Sequence, residues 1–422
     1  MVGVLGGVTP APLTGVRVLD LGSMLAAPLA ARYLADLGAT VIKLESPGGD
    51  RSRRMSPRTV GGESLYFLST NRNKSSIAVD LRDPVGRTVA GRVIASVDVV
   101  IDSNPPGKGA PLGLDPHEHC AVLPRLIWAS ITGYGHEGSR RGEPTHDLLV
   151  QALSGVMALN GESDGDPVRV GVPVVGVSAA LHAVIGVLAA LRKRDTTGLG
   201  SFLDVSMLDA QVALTAYVAA DAMYTGVDPV RQGSGHTAVA VHGLFTCRDG
   251  RAIVVVSDSE LTWAGLCAAV GDPDLAADGR FASEPERLSH RPALTSVLES
   301  AFARRPADEW LATLAAHAVP AAPVRSVVEA VSEDVAEGGG LVATLEIGDD
   351  TVRSLASPVG LAAADSVPPS AAPGLGSGTR AVLADLGYSD DEIDELASAG
   401  AVSAGVTAPH TAPRLSDRAD RQ

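Results

Sequence analysis

Aromatic residues make up only 3% of this 422-residue chain. A core of large rings is therefore excluded, and the interior has to be built from Ala, Val and Leu. Cysteine is as scarce. Cys120, Cys247 and Cys267 are far apart and odd in number, which gives neither a disulfide framework nor zinc-ligand spacing. A reducing cytoplasm is the expected setting. Basic charge is short too: 34 Lys and Arg face 49 Asp and Glu, a net charge of −15. That argues against a nucleic-acid partner, which favours clustered Lys and Arg. The opening MVGVLGGVTPAPLTG has no basic segment and no long apolar core, so a secretory signal is not expected.

Only one apolar run, 170–191, approaches membrane-spanning length. Pro173, Ser178 and His182 interrupt it, and Ala and Gly make it only mildly apolar, so no membrane partner is expected. It reads as a strand followed by a buried helix from about Ser178. Arg192-Lys193-Arg194 would end that helix near the negative pole of its dipole.

What the chain does have is alternation. Its 45% hydrophobic and 20% charged residues suit a globular protein, and its length suits two domains. Residues 16–21, 40–45, 76–81, 97–102, 126–131 and 202–205 read as strands. Helices are expected over 27–37 (with Gly38 at its C-cap), 84–96 and from Leu208. Such alternation implies a parallel sheet covered by helices. Residues 224–241 read as a boundary loop. Beyond it, 244–247 and 252–256 flank the hairpin signal Arg248-Asp249-Gly250-Arg251, and helices follow near 261–270, 292–303 and 307–317. This middle block, 225–330, reads as a smaller α+β domain. A Pro- and Gly-rich linker over 366–378 precedes a helical stretch at 379–398, and 403–422 reads as a disordered tail.

The first strand–helix turn, Gly22-Ser23-Met24-Leu25-Ala26-Ala27-Pro28, has one glycine. A dinucleotide turn needs three, so that the backbone can approach a pyrophosphate. Glu45 does stand where a ribose-binding acid would. Asn71-Arg72-Asn73-Lys74-Ser75-Ser76 reads as a solvated loop, with a phosphate-facing loop as the alternative. Asp147 is a candidate cap for the helical run after it, and His146 is a candidate acid, base or donor at that helix start. A structural role for His146 stays open. His236 and His242 read as structural, and no pair of histidines has metal-ligand spacing.

Several stretches together carry a family resemblance: Pro12-Leu13-Thr14-Gly15-Val16-Arg17-Val18-Leu19-Asp20, Leu37-Gly38-Ala39-Thr40-Val41-Ile42-Lys43-Leu44-Glu45, Asn71-Arg72-Asn73-Lys74, the run DLLVQALSG over 147–155, Thr197-Gly198-Leu199-Gly200, and Leu386-Gly387-Tyr388-Ser389-Asp390-Asp391-Glu392-Ile393. In this order and spacing, over about residues 10–402, the chain resembles the class III coenzyme A-transferase family. That family includes formyl-CoA and carnitine CoA-transferases and the α-methylacyl-CoA racemases. The resemblance implies an α/β fold, with a Rossmann-like large domain from residues 10–224 and 331–402 around the small domain. It also implies an interlocked dimer, either a homodimer or a heteromer with a paralogue. Coenzyme A enters as a substrate, with no covalently bound cofactor and no metal, and the partners are an acyl-CoA and a carboxylic acid. The thioester would react near the domain interface.

By position, the family's CoA-contacting segments fall on Leu25, Ala26, Ser46, Val79, Asp80, Leu81, Arg82, Ser103, Asn104, His146 and Asp147. His146 and Asp147 are the candidate catalytic pair. The family's transferases attack the thioester with an Asp, forming a mixed anhydride that stays activated for return transfer. That Asp falls on Gly176, and a one-residue slip gives only Val175. An Arg often used near CoA falls on Pro111. His146 matches the racemases' His, but their Asp partner is missing. Three readings follow. The first is an acyl-CoA enzyme transferring CoA between carboxylic acids. The second is a nucleophile-lacking subunit beside a competent paralogue. The third is racemase- or epimerase-type acid–base chemistry on an acyl-CoA.

Overall fold

Apolar runs separated by Ala-rich helices assemble into a seven-stranded sheet in the computed structural model, which describes residues 11–332, 341–360 and 367–403. The strands are β1 (Arg17–Asp20), β2 (Thr40–Glu45), β3 (Lys74–Val79), β4 (Val99–Asp102), β5 (Ile127–Thr132), β6 (Ser201–Ser206) and β7 (Val402–Ser403). Their spatial order is β7-β3-β2-β1-β4-β5-β6. All pairs are parallel except β7 with β3, where Val402 faces Val79. Without that edge strand the order is 3-2-1-4-5-6, the doubly wound Rossmann arrangement. The chain is α/β, with a largely parallel central sheet.

Alternate residues of each strand feed opposite faces. Val18, Val41, Val99, Ile101, Ile127 and Ala129 pack against α1 (Ala26–Asp36) and the long helix Val174–Thr197. Leu19, Ile42, Ile77, Val100 and Trp128 pack on the other face, with the helix α2 (Pro84–Ala95). Ala27, Ala30 and Ala31 of α1 and Ala179, Ala180 and Ala183 of the long helix are fully buried, so small side chains stand in for the missing aromatic core. A larger residue at such a site costs about 1–3 kcal/mol of overpacking.

Several sequence expectations need correcting. α3 (Asp147–Leu153) precedes the long helix, labelled α4 (Val174–Thr197). No strand precedes Ser178. The valine-rich start of the run favours β by propensity, but Val174–Val177 are helical, with Val175 and Gly176 packed inward. Tertiary burial overrides the local preference. α4 also outruns its basic cluster and ends at Gly198 in the left-handed region (φ +73°), while Arg194 turns inward to Asp98 at 3.0 Å. By length and composition α4 could cross a bilayer, but half of its apolar window is buried in the fold. The stretch 379–398 is two helices, Thr379–Asp385 and Asp390–Ser398, parted at Gly387 with φ +84°. Ser403, expected in the tail, belongs to β7.

The chain divides into two compact units. The first comprises Met1–Gly155, Val170–Ala216 and Gly339–Gln422, the second Val156–Arg169 and Tyr217–Gly338. Residues 156–169 and 217–224 thus group with the second unit, outside the 225–330 block read from sequence. That unit carries the expected hairpin, Val241–Thr246 with Ala252–Ser257, joined by Ala321–Pro323 in a three-stranded antiparallel sheet. Its core holds Phe245, Trp263, Phe281, Phe302 and Trp310, so the chain's few rings concentrate here. The N-terminal stretch 1–10 and the tail from 404 onward lie outside the described residues, as do 333–340 and 361–366.

Candidate functional site

Strand order runs outward in both directions from β1 and β4. Open α/β sheets take ligands beyond the carboxyl ends of the strands at such a reversal. Two turns meet there. The Ser23 amide donates to Ser103 Oγ at 3.2 Å, linking the turn after β1 to the turn after β4. Met24, in the first turn, holds φ +69° without being glycine, an uncommon and strained conformation.

That strain is held by Asp50. Its Oδ1 accepts from Ser23 Oγ (3.0 Å), the Met24 amide (3.3 Å) and the Ser52 amide (2.8 Å). Its Oδ2 pairs with Lys43 Nζ at 2.9 Å. Lys43 also donates to the Gly22 carbonyl (2.8 Å), and Lys74 Nζ reaches Asp20 (2.8 Å), the Pro28 carbonyl (2.7 Å) and Asn71 Oδ1 (2.8 Å). Burial pushes the Asp50 carboxyl up, but the Lys43 ammonium and the Ser52 amide outweigh it and hold the group at about 2. Burial also works against the Lys43 ammonium, and Asp20, Asp50 and Glu45 overcome it, so Lys43 stays charged. Lys74 has fewer counter-charges, and burial pulls it down to about 8.

These contacts correct the reading of the 71–76 run. Asn71, Arg72 and Lys74 are neither solvated nor turned to a phosphate. All three are buried: Arg72 pairs with Asp36 at 2.6 Å, and Lys74 sits under the first turn. Glu45 is likewise unavailable to a ribose, because it accepts from Arg53, Ser76 and the Asp50 amide. The sequence reading missed Lys43, Asp50 and Lys74 as supports of the site. A usable signal was present: a lysine inside the buried stretch Val41-Ile42-Lys43-Leu44 of β2 has to be paired.

The candidate residues lie at or near this carboxyl edge of the first unit. Leu25 is half-buried, while Ala26 starts α1 with its side chain in the core. Ser46 is exposed just after β2. Val79 ends β3 with its side chain buried, and Asp80, Leu81 and Arg82 form the turn beyond, so β3 is shorter there than expected. Arg82 is exposed and pairs with Asp80 at 2.7 Å. Ser103 and Asn104 follow β4, and the Asn104 amide donates to Asp102 at 2.6 Å. Pro111 lies in a short 3₁₀ turn, Ala110–Leu112.

His146, not Asp147, is the N-cap of α3. Its Nδ1 accepts from the Leu148 amide at 3.4 Å, and its ring is exposed. Asp147 is the first helical residue. Its Oδ2 accepts from Gln151 Nε2 at 2.6 Å, and Gln151 Oε1 in turn accepts from the Val170 amide at 2.8 Å. Asp147 Oδ1 is buried with no hydrogen-bond partner among the described residues. Burial and the carboxylates of Asp50 and Asp147 raise the Tyr66 hydroxyl, so the α3 corner and the first turn share one electrostatic neighbourhood.

Gly176 lies in the first turn of α4, directly against Leu25. A Cβ built there would stand 2.7 Å from Leu25 Cδ2, and its nearest neighbours are all atoms of that side chain. No acidic residue and no side-chain cap occupies the first turn of α4. Among the described residues no group of three His, Cys, Asp or Glu side chains is arranged to hold a metal ion.

A sequence profile of CoA-transferase family III matches residues 13–379. The succinyl-CoA:glutarate CoA-transferase of Mus musculus is 35% identical over 400 residues, covering 93% of this chain and 90% of that one. The succinyl-CoA–L-malate CoA-transferase beta subunit of Chloroflexus aurantiacus is 31% identical, covering 93% and 98%. Among solved structures, a CAIB/BAIF family protein from Brucella suis superposes with a TM-score of 0.83 at 33% identity, over 90% of this chain and all of that one. These relatives support CoA transfer between carboxylic acids, and the chain belongs to CoA-transferase family III.

Proposed function

We propose that this chain binds an acyl-CoA along the carboxyl edge of its seven-stranded sheet and serves CoA transfer between carboxylic acids, without supplying the attacking carboxylate at position 176. Its setting is the cytoplasm, its co-substrate a carboxylic acid, and coenzyme A is handled as a substrate. The observation that carries this reading is the pairing of Gly176 with Leu25. The side chain of Leu25 fills the space where a side chain at 176 would begin. In the family's reaction a carboxylate attacks the thioester carbonyl, expels CoA thiolate and holds the acyl group as a mixed anhydride. Gly176 has no atom able to do this, so the acyl-CoA cradle and the nucleophile are separated in this chain.

A second reading is supported by the Chloroflexus relative, a subunit of a larger enzyme by its name. In it, the chain works as a dimer with a paralogue that supplies the carboxylate. An exposed apolar row on α4 (Leu181, Ile185, Leu188), with Leu148, Leu149 and Leu153 on α3, suits such a partner. An exposed patch of this kind marks an interaction surface. The racemase reading finds less support. His146 is tied to the Leu148 amide through Nδ1, and no carboxylate pairs with it among the described contacts.

The test is calorimetry with CoA and short acyl-CoAs, followed by exchange of labelled carboxylate into acyl-CoA, with the chain alone and mixed with a family member from the same source. Binding alone, with exchange only in the mixture, is the expected result. No CoA binding under either condition defeats the reading.

A further inference from the structure

The first unit holds a second concave space besides the carboxyl edge. It lies between the short helix Leu65–Asn71 and an antiparallel hairpin, Val342–Ile347 with Asp350–Leu355. Its volume is about 230 Å³, and Leu65, Leu68, Leu345, Ile347 and Val352 form its apolar walls. Arg32 of α1 lines the same slot and is 8% exposed.

That guanidinium is the weaker competitor for the acceptors around it. Asp36 accepts Arg72 Nε at 3.0 Å, Arg72 Nη2 at 2.6 Å and Asn73 Nδ2 at 2.8 Å, which leaves Arg32 Nε at 3.4 Å. The Leu355 carbonyl is taken by Arg72 Nη1, and Arg32 Nη2 stands 3.5 Å from it. The close bond of Arg32 is Nη1 to the Ser69 carbonyl at 2.7 Å. Two buried guanidiniums thus share the carboxylate of Asp36, although each carries five N–H donors. Burial and the Arg72 charge act against the Arg32 cation more than Asp36 sustains it. A buried charge of this kind calls for a counter-ion.

We propose that the slot binds a free monocarboxylate with a short apolar chain, its head paired with Arg32 and its chain laid between the leucines and the hairpin. Size agrees with this: an apolar cavity of ~150 Å³ accepts benzene, so this slot takes a chain of roughly four to six carbons. A dicarboxylate is disfavoured, because the leucine walls would desolvate its second charge. Arg32 stands two helical turns along α1 from Leu25, so the site is independent of the reading of the carboxyl edge.

The test is calorimetry at pH ~7, where these acids are ionised, with butyrate, hexanoate, adipate and 1-hexanol, each with and without saturating CoA. Hexanoate binds about tenfold more tightly than butyrate, for two more buried methylenes. Adipate and 1-hexanol bind at least about tenfold more weakly than hexanoate. Arg32→Met removes the charge and loses at least about tenfold in hexanoate affinity. Val352→Trp fills the slot from the hairpin, leaves Arg32 in place and loses hexanoate binding, so a folding defect in Arg32→Met does not decide the question. Arg280→Met, at an exposed arginine paired with Asp278, follows the wild type. No hexanoate binding, hexanol binding as tightly as hexanoate, or full hexanoate affinity in Val352→Trp overturns the inference. Displacement of hexanoate by CoA puts the acid at the carboxyl edge, which overturns the slot and leaves the CoA reading standing.

Discussion

Placing a carboxylate back at position 176 tests the central argument most directly. Removing a glycine from a helix returns up to about 1 kcal/mol of helix propensity. An acid in the first turn of α4, where none stands now, gains about 0.3–1 kcal/mol from the helix dipole. Against this, the new Cβ would lie 2.7 Å from Leu25 Cδ2. The leucine end has to move, and overpacking of this kind costs about 1–3 kcal/mol. Burial of the new carboxylate adds to the cost. Gly176→Asp is therefore expected to be less stable than the wild type by about 1–2 kcal/mol, a fall of only about 1–2 °C in melting temperature for a chain of 422 residues. Adding Leu25→Ala removes the obstruction, so the double variant loses less than the two single losses combined, with a coupling of about 0.5–3 kcal/mol for residues in contact. Chemistry follows the same order. After incubation with acyl-CoA and hydroxylamine, mass spectrometry should find no modified residue at 176 in the wild type. It should find a trace in Gly176→Asp and more in the double variant, since a misplacement of about 1 Å can cost about 10²-fold. Rapid transfer by the wild-type chain alone, with the anhydride trapped on it at Asp147 or elsewhere, would refute the reasoning. So would losses that simply add in the double variant.

Other outcomes can be stated briefly. Asp50 is held at about 2 against an ordinary 3.8, so its stabilisation is complete above about pH 4 and is lost as the pH falls toward 2. That amounts to about 2 kcal/mol, and acid unfolding of Asp50→Asn should lack this limb when both proteins are followed by circular dichroism. Ile185→Asp, on the exposed face of α4, should lower the oligomeric state seen by light scattering while leaving the melting temperature of the residual monomer within about 2 °C; an unchanged mass would remove α4 from the interface. Acyl-CoA incubated with the wild type in deuterated water should gain no α-deuterium. Exchange that His146→Ala abolishes would restore the racemase reading, since loss of a general base costs roughly 10²–10⁴-fold.

The sheet was legible because its strands are continuous apolar runs, and β2 falls on Thr40–Glu45 as read. The helix start at Val174 was not, because a Val-rich segment carries a β preference that only packing against α1 reverses. The charged run at 71–74 misled for a related reason. Lys74 is buried by a partner, Asp20, that stands 54 positions away, and no local pattern announces such a pairing. The missing carboxylate at 176 could be read from the resemblance, but the occupant of its space could not, because Leu25 comes from the other side of the packed helix pair.

The edge strand β7 has a consequence for the order of assembly. The Ala78 amide donates to Thr379 Oγ1 across 301 positions, and Thr379 Oγ1 donates in turn to the Ser403 carbonyl. The Asp80 amide reaches Ala401, and Val79 pairs with Val402. During synthesis at roughly 5–20 residues per second, β3 therefore waits on the order of 15–60 s for the chain that closes its open side. Over that interval an apolar strand edge stands unpaired, the condition that favours association with other chains. The turn at 79–82 takes its final shape among the last events of folding, so a ribosome-bound nascent chain holding only the first 350 or so residues should carry a formed β1–β2 core and no competent acyl-CoA edge.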